Sequence, residues 1–579
     1  MTILLDGLTT LEAHPIGIFL FIISAFGLGC GIKPFLTTIH EEPRWISLVE
    51  NILLGSLVLV WFSFVLVLLK QLWSPLFEIG SLLIPGASAI PLFLVVRKKG
   101  IGRLSTSDLT MGGILCSSFL LFLLARLAFL HNVILPPYND SPKHYKIVQG
   151  FLNPSTGNVS FYSPINTASH FYHFGFHSLA AWLSVASRMD AATSIAVLGQ
   201  VLVALSPFSI LWLTYAVTRN IRAGWVAALF AAFAWQMPYF ALNWGKYPAI
   251  AGLSLIPAVL GFWVVYGREE IKHWSNLLFM ALLATGLVLL HTRLLICLVL
   301  AGGIYFLVEK FFWKRALRTW EACALWILAL GVFALFRGTL LTFYSMSHLI
   351  GFIIGALLML FAFQAFPRFS LGITLFVLGV WLASKITVPF QGHHLLLFDP
   401  IFVETVLFIP LSLFIGIGFA GLSGKLSNHA SAQLLLAISM GVVVVASMLS
   451  SNTFYPDPCC NYVKKADVTA INWIRENTQE EAVVWIAGFQ ANNYVIGTDA
   501  GVWINTLTGR NTNRLAFDFD WNSPSAQGTI CKPGYQEVYI YKGGMPYSFN
   551  ETQLAGQNWL REIFKANGTA IYNVLCGQH

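Results

Sequence analysis

The sequence predicts an α-helical polytopic membrane protein with a small C-terminal α/β domain outside the cytoplasm, and three observations lead there. Hydrophobic residues make up 56% of the chain and charged residues 10%, with a mean hydropathy of +0.70; a soluble globular protein carries roughly 25% charged residues. Apolar runs of spanning length, about 20 residues, recur up to position 450, among them Ile52–Leu69, Leu198–Val217 and Leu434–Leu449. Beyond them Asp, Asn, Gln, Gly and Thr rise and no spanning run remains. Backbone polar groups in lipid must be satisfied within the segment, so these runs are expected to be helices. A large soluble core is excluded by the shortage of charged surface. The N-terminus lacks a basic region followed by a small-residue cleavage site, so no removable signal peptide is expected.

The expected spans are 15–32, 48–69, 78–96, 109–130, 191–217, 223–241, 248–266, 276–291, 293–310, 322–337, 346–365, 370–387, 400–421 and 432–451, about 14 transmembrane helices. When the sides alternate, Arg97-Lys98-Lys99 with Arg103, Arg219 and Arg222, Arg268 and Lys272, Lys310, Lys314, Arg315 and Arg318, Arg368 and Lys425 fall on one face. That face holds roughly 15 Lys and Arg, against about five in the short opposite loops, and is expected to be cytoplasmic. The net charge of +8 and pI near 9.0 then follow from loop charge, and no nucleic-acid partner is expected. The expected organisation is a multi-helix domain over 1–451 with an extracytoplasmic loop at 131–190, and an extracytoplasmic domain over 452–579. The location is the cytoplasmic (plasma) membrane.

In the tail, Lys465–Asn477 places Val468, Ile471 and Ile474 on one helix face, and Ala482–Ala487 and Val538–Tyr541 read as strands. Cys459, Cys460, Cys531 and Cys576 suit disulfides in an oxidising compartment, with pairing left open. Asn-x-Ser/Thr patterns begin at Asn139, Asn158, Asn550 and Asn567.

The first long outer segment contains Asp140-Ser141-Pro142-Lys143-His144-Tyr145-Lys146, where a helical turn puts Asp140 and His144 on one face. The later run from Ser169 to Leu179 carries His170, His173 and His177 among aromatics and reads as an amphipathic helix in the membrane interface. Trp244-Gly245-Lys246-Tyr247-Pro248 starts one helix and His291-Thr292-Arg293 joins two more. Arg337, Lys385, His393 and His394 fall on the same side. Ionisable groups at membrane depth are functional candidates, against the plain alternative that Lys and Arg snorkel and His sits at a wet helix end. The three histidines have helical spacing, but no Glu accompanies them as in His-Glu-x-x-His, so no metal site is assigned.

Taken in order, these stretches resemble the GT-C superfamily of membrane glycosyltransferases. The Asp140…His144 element looks like the family's acidic motif in the first long outer loop. Tyr172-His173-Phe174-Gly175-Phe176-His177-Ser178-Leu179 looks like an element of many bacterial and archaeal members, with His173-Phe174 in place of a double proline. Trp244-Gly245-Lys246-Tyr247-Pro248 is similar to another, and the tail around Ala470–Thr478 and Leu507-Thr508-Gly509-Arg510 resembles their outer domain. The Trp-Trp-Asp-type motif of oligosaccharyltransferase subunits is absent, so transfer of a whole glycan to asparagine is not expected. Several helices precede the acidic loop here, where the family plan has one.

The resemblance implies inverting transfer of a sugar from a polyprenyl-phosphate donor to a glycan, lipid or protein acceptor at the outer face, within membrane lipid. Asp140 is then the candidate general base, with His144 orienting it or touching phosphate. Lys246, Arg293 and Arg510 are candidates for the phosphate, with His173, His177 and His291 as further donor-site residues. Superfamily members differ in needing a divalent cation, so Mg or Mn stays open. Two other readings compete: a transporter or flippase of lipid-linked cargo, and a non-catalytic subunit of a cell-envelope assembly.

Overall fold

The computed structural model describes residues 2–35, 43, 45–99, 105–153, 173–266, 274–311, 317–345, 349–390, 393–450, 454–491 and 494–576. Arg103, Asn158, His170, Tyr172, Arg268, Lys272, Lys314 and Arg315 lie outside the described residues, as do the side chains of Lys98, Lys99 and His393.

The helices that build the membrane body are, in order, α1 (Thr2–Ala13), α2 (Pro15–Ile32), α3 (Ile46–Leu72), α4 (Ser74–Lys99), α5 (Thr106–Leu127), α6 (Ser141–Leu152) and α7 (Gly175–Ser187). They continue with α8 (Ala191–Ala204), α9 (Ser206–Thr218), α10 (Ile221–Phe233), α11 (Tyr247–Tyr266), α12 (Trp274–Leu290), α13 (Arg293–Phe311) and α14 (Thr319–Ala334). The last are α15 (Leu349–Ala365), α16 (Pro367–Ala383), α17 (Pro400–Val406), α18 (Phe408–Lys425) and α19 (Ala430–Ser450). A hairpin of β1 (Thr387–Phe390) and β2 (His393–Leu396) joins α16 to α17.

Among the described residues six helices are long and apolar enough to cross a membrane: Pro15–Phe35, Ile46–Lys70, Thr106–Leu130, Ala191–Thr218, Tyr247–Tyr266 and Pro400–Lys425. A seventh span results if the pair Thr319–Ala334 and Arg337–Tyr344, bent by 86°, counts as one. Shorter apolar helices accompany them. This is a multi-pass membrane protein. Burial sorts the spans: Ala191–Thr218 is 100% buried, whereas Pro15–Phe35 and Thr106–Leu130 are 44% buried. A helix apolar all round belongs in the middle, so α8 and α9 form the centre with α18, whose span Pro400–Lys425 is 89% buried, while the less buried spans keep one side exposed. Helices α2 and α3 meet where Gly29 and Gly55 remove the side chains that would strike the facing backbone.

Of the 14 expected spans, six correspond to these spanning helices, or seven with the bent pair, and the others contain helix that does not meet that measure among the described residues. The segments 191–217 and 400–421 are each broken once, at Leu205 and Leu407. Pro207 and Pro410 follow the breaks, and neither offers an N–H to the carbonyl four residues back. The segment 223–241 stays helical only to Phe233, and the chain then turns ahead of Pro238 into the short turn Tyr239–Leu242. Helix α7 corrects an expectation. It is not an exposed interfacial helix, because every residue from Gly175 to Ser184 is buried. Small residues let neighbours close on all sides: a Cβ on Gly175 would sit 2.7 Å from the Leu289 carbonyl carbon.

The tail folds as an α/β unit. Helix α20 (Lys465–Asn477) precedes β3 (Val483–Ala491), β4 (Tyr494–Gly497), the short helix α21 (Ile504–Thr508), β5 (Asn511–Ala516), β6 (Val538–Lys542), β7 (Leu560–Ala566) and β8 (Thr569–Val574). Strand order is β4-β3-β6-β8-β7, with β5 and β6 parallel to β3 and the remaining pairs antiparallel. Alternation sorts the two faces. Val484, Ile486 and Tyr541 join Ala470, Ile471 and Ile474 of α20 in one core. Trp485, Ala487 and Ile540 meet Trp521 and Phe549 in another. The cysteines pair as Cys459–Cys460 and Cys531–Cys576. Asn550 spends its side-chain oxygen capping the short helix Glu551–Ala555.

Candidate functional site

The site is built where the loop before α6, the turn before α11, the start of α7 and the α12–α13 junction meet. Asp140 is the residue ahead of α6, but its carboxylate caps no helix N–H. It points across the chain to Lys246, with Nζ 2.5 Å from Oδ2. Lys246 is held there by Gly245, whose φ of +64° favours glycine and whose added Cβ would lie 2.8 Å from Ser141 Oγ. The Trp244–Tyr247 turn can dock on the Asp140 loop only because this position has no side chain.

The histidines connect through the same contact. His144 Nε2 lies 3.0 Å from the Gly245 carbonyl oxygen, and Nδ1 lies 2.9 Å from His177 Nε2. A carbonyl oxygen only accepts, so His144 carries its proton on Nε2. Neutral His144 then accepts at Nδ1 from His177. Burial pushes His144 down to about 4, against the opposing pull of the Asp140 charge. His173, just ahead of α7, is held well below its ordinary value by burial and by neighbouring His291. The His173 and His291 rings lie 4.3 Å apart, and His291 stacks on Phe402. Arg293, two residues on, pairs with Asp399 at 2.6 Å and donates to the Leu397 carbonyl.

The structure therefore brings together Asp140, His144, His173, His177, Lys246, His291 and Arg293, from four segments spread over 140–293. Arg510 stands apart. Its guanidinium donates to the carbonyls of Arg475, Thr478 and Thr508, clamping the end of α20 inside the C-terminal domain. Lys385 lies over the Trp381 ring, and His394 is exposed on β2. Asp399 was not singled out by sequence reading, although Asp399-Pro400 is a recognisable helix start. It caps α17 through the Phe402 N–H while binding Arg293. Among the described residues no three His, Cys, Asp or Glu side chains are arranged to hold a metal ion.

The C-terminal domain covers this end of the bundle. The Tyr138 N–H donates to the Cys460 carbonyl, and the Asp457 N–H to Asn243 Oδ1. Tyr145 packs edge-on against Trp503, and Tyr138 lies by Tyr462. Lys146 of α6 reaches Asn505 of α21 at 3.5 Å. Both flanks of Asp140 are thus fastened to the domain above it.

Fold and site define a multi-pass membrane protein with a carboxylate, cation and histidine cluster at the end covered by its α/β domain. The chain belongs to DUF6541, a family of unknown function, which it matches over residues 43–453. No curated protein matches it. Among solved structures it is similar to the arabinofuranosyltransferase AftD from mycobacteria, with 12% identity and a TM-score of 0.35. That likeness covers 80% of this chain and 40% of AftD, so the chain spans well under half of that protein's length.

Proposed function

We propose that this protein is a membrane glycosyltransferase, transferring a sugar from a polyprenyl-phosphate donor to an acceptor hydroxyl at the outer face. In this reading the apolar segments make about 14 passes, and the basic loops lie in the cytoplasm. The C-terminal domain and the Asp140 cluster are then extracytoplasmic. The observation that carries the reading is the Asp140–Lys246 ion pair beside His144, at a bundle end covered by the C-terminal domain.

The pair suits both halves of the reaction. An arriving donor phosphate competes with Asp140 for the Lys246 ammonium, since both are oxyanions. Once Lys246 turns to phosphate, the Asp140 carboxylate is free to take a proton. The acceptor oxygen attacks C1 of the sugar as its proton passes to Asp140, and the C1–O bond to phosphate breaks with its electron pair leaving on the phosphate. Lys246 stabilises that departing charge. Displacement from the opposite face inverts the anomeric centre. The neutral, buried histidines hold the Asp140 loop against the Gly245 turn without adding charge.

The test is sugar transfer by the purified protein in nanodiscs with a panel of polyprenyl-phosphate sugars, comparing wild type with Asp140→Asn. Transfer by wild type and its loss in a variant that melts normally is the expected result. A folded wild type that turns over no donor across the panel would leave an accessory or transport role standing instead.

A further inference from the structure

A second site lies at the other end of the same helices. A cavity of ≈ 610 Å³ opens between the far halves of α11, α12, α13 and α16 and the start of α18, within the roughly 300–1,000 Å³ of ligand sites. Glu309, on its rim, is sixteen residues along α13 from Arg293. At 1.5 Å per residue this is about 24 Å, most of a hydrocarbon core about 30 Å thick. The cavity is therefore separate from the Asp140 cluster and lies toward the opposite membrane surface.

We propose that this cavity holds one acyl chain of a zwitterionic, amine-bearing phospholipid. Three features select that occupant. The walls are almost wholly aliphatic and aromatic, and Trp263, Leu277 and Tyr305 remain 43%, 48% and 53% exposed along the opening. Trp263 lies on the candidate span Tyr247–Tyr266; with α12 and α13 crossing beside it, on which the inference rests as the proposed function does, the opening faces hydrocarbon and an acyl chain can enter sideways. Filling the space also restores the dispersion contacts that an empty apolar void forfeits. The third feature is charge. The rim carries an ion pair in which Arg368 Nη1 stands 3.3 Å from each Glu309 oxygen, with both side chains partly exposed. A guanidinium offers paired donors to a phosphodiester, and the carboxylate beside it accepts from a primary ammonium. Phosphatidylethanolamine matches both charges. Phosphatidylglycerol meets Arg368 but offers Glu309 only neutral hydroxyl donors in place of a cation.

The experiment uses the full-length protein, stripped by prolonged detergent washing and then exposed separately to dioleoyl phosphatidylethanolamine and dioleoyl phosphatidylglycerol. Retained lipid is counted by native mass spectrometry, with a thermal melt of each sample. Gly372→Trp fills the cavity. Gly372→Ala is the folding control, since its added Cβ meets only Ile304 Cγ2, at 3.8 Å. Wild type and Gly372→Ala are expected to retain a single phosphatidylethanolamine that raises the melting temperature, and Gly372→Trp to lose it. Arg368→Gln should weaken retention at least tenfold, and Glu309→Gln should abolish the preference over phosphatidylglycerol. No stoichiometric lipid on wild type, equal retention of both lipids by wild type, or undiminished retention by Gly372→Trp would each overturn the proposal.

Discussion

Asp140 and Lys246 carry opposite charges in contact, and replacing either leaves the other without its partner. Lys246→Met should reduce transfer by a factor of roughly 10² to 10³, the usual cost of losing one donor to a developing oxyanion. His144 makes a separate prediction through its proton. Its value falls from the ordinary 6.5 to about 4 in the fold, so the unfolded chain binds the extra proton between those limits. Its contribution is complete above pH 6.5 and is lost as pH drops toward 4, on the order of 3 kcal/mol in all. Melting curves of detergent-solubilised wild type should show that decline, and His144→Gln should flatten it; parallel profiles would argue against a buried neutral His144. Asp499 in the C-terminal domain has the opposite sign. Burial raises it to about 7 even though Ser548 and the Gly501 and Gly543 N–H groups bond to it. Its contribution is full below pH 3.8 and is lost as pH rises through 7. Asp499→Asn should accordingly gain on wild type between pH 4 and pH 7, read from the difference between the two melting profiles.

At the scale of elements, the Gly245 turn fixes how α11 meets α6. Gly245→Ala meets both the positive φ and Ser141 Oγ, and should destabilise by about 1–3 kcal/mol while lowering transfer more than a peripheral change of equal melting shift. The disulfide Cys531–Cys576 closes a sequence separation of 45 residues in the C-terminal domain. Its removal by Cys531→Ser should cost on the order of 2–4 kcal/mol, measured as lost resistance to proteolysis. The elements also show what a sequence reveals. Asp140, Lys246, His291 and Arg293 could be singled out in the sequence because ionisable groups beside apolar runs are rare, and the fold brings them together. Asp399 was not singled out, because Asp399-Pro400 reads as an ordinary helix start and the cap alone accounts for an acidic residue there. The His144–His177 hydrogen bond joins two turns whose spacing carries no trace of it. Helix α7 was misread because its aromatic and histidine residues resemble an interfacial face, while the burial that contradicts this comes from α3, α4 and α8.

For the whole molecule, two chemically different features lie at opposite ends of one helical bundle. One end holds the titratable cluster under the C-terminal domain, and the other holds an apolar cavity with the Arg368–Glu309 ion pair at its rim. The central helices α8, α9 and α18 are buried nearly throughout and join the ends as one packed body. Apolar length made the multi-pass helical class readable, and the change of composition after position 450 the small C-terminal sheet domain. Proline breaks inside spans and the sheet order of the tail depend on three-dimensional partners and were not readable. The measurement that tests the account most directly is donor binding and turnover by Asp140→Asn beside Lys246→Met, with a polyprenyl-phosphate sugar that wild type uses. The account predicts that Asp140→Asn binds donor at least as well as wild type, because Lys246 is released to the phosphate, yet transfers nothing. Lys246→Met should lose donor binding. Normal turnover by Asp140→Asn, or normal donor affinity in Lys246→Met, would contradict it.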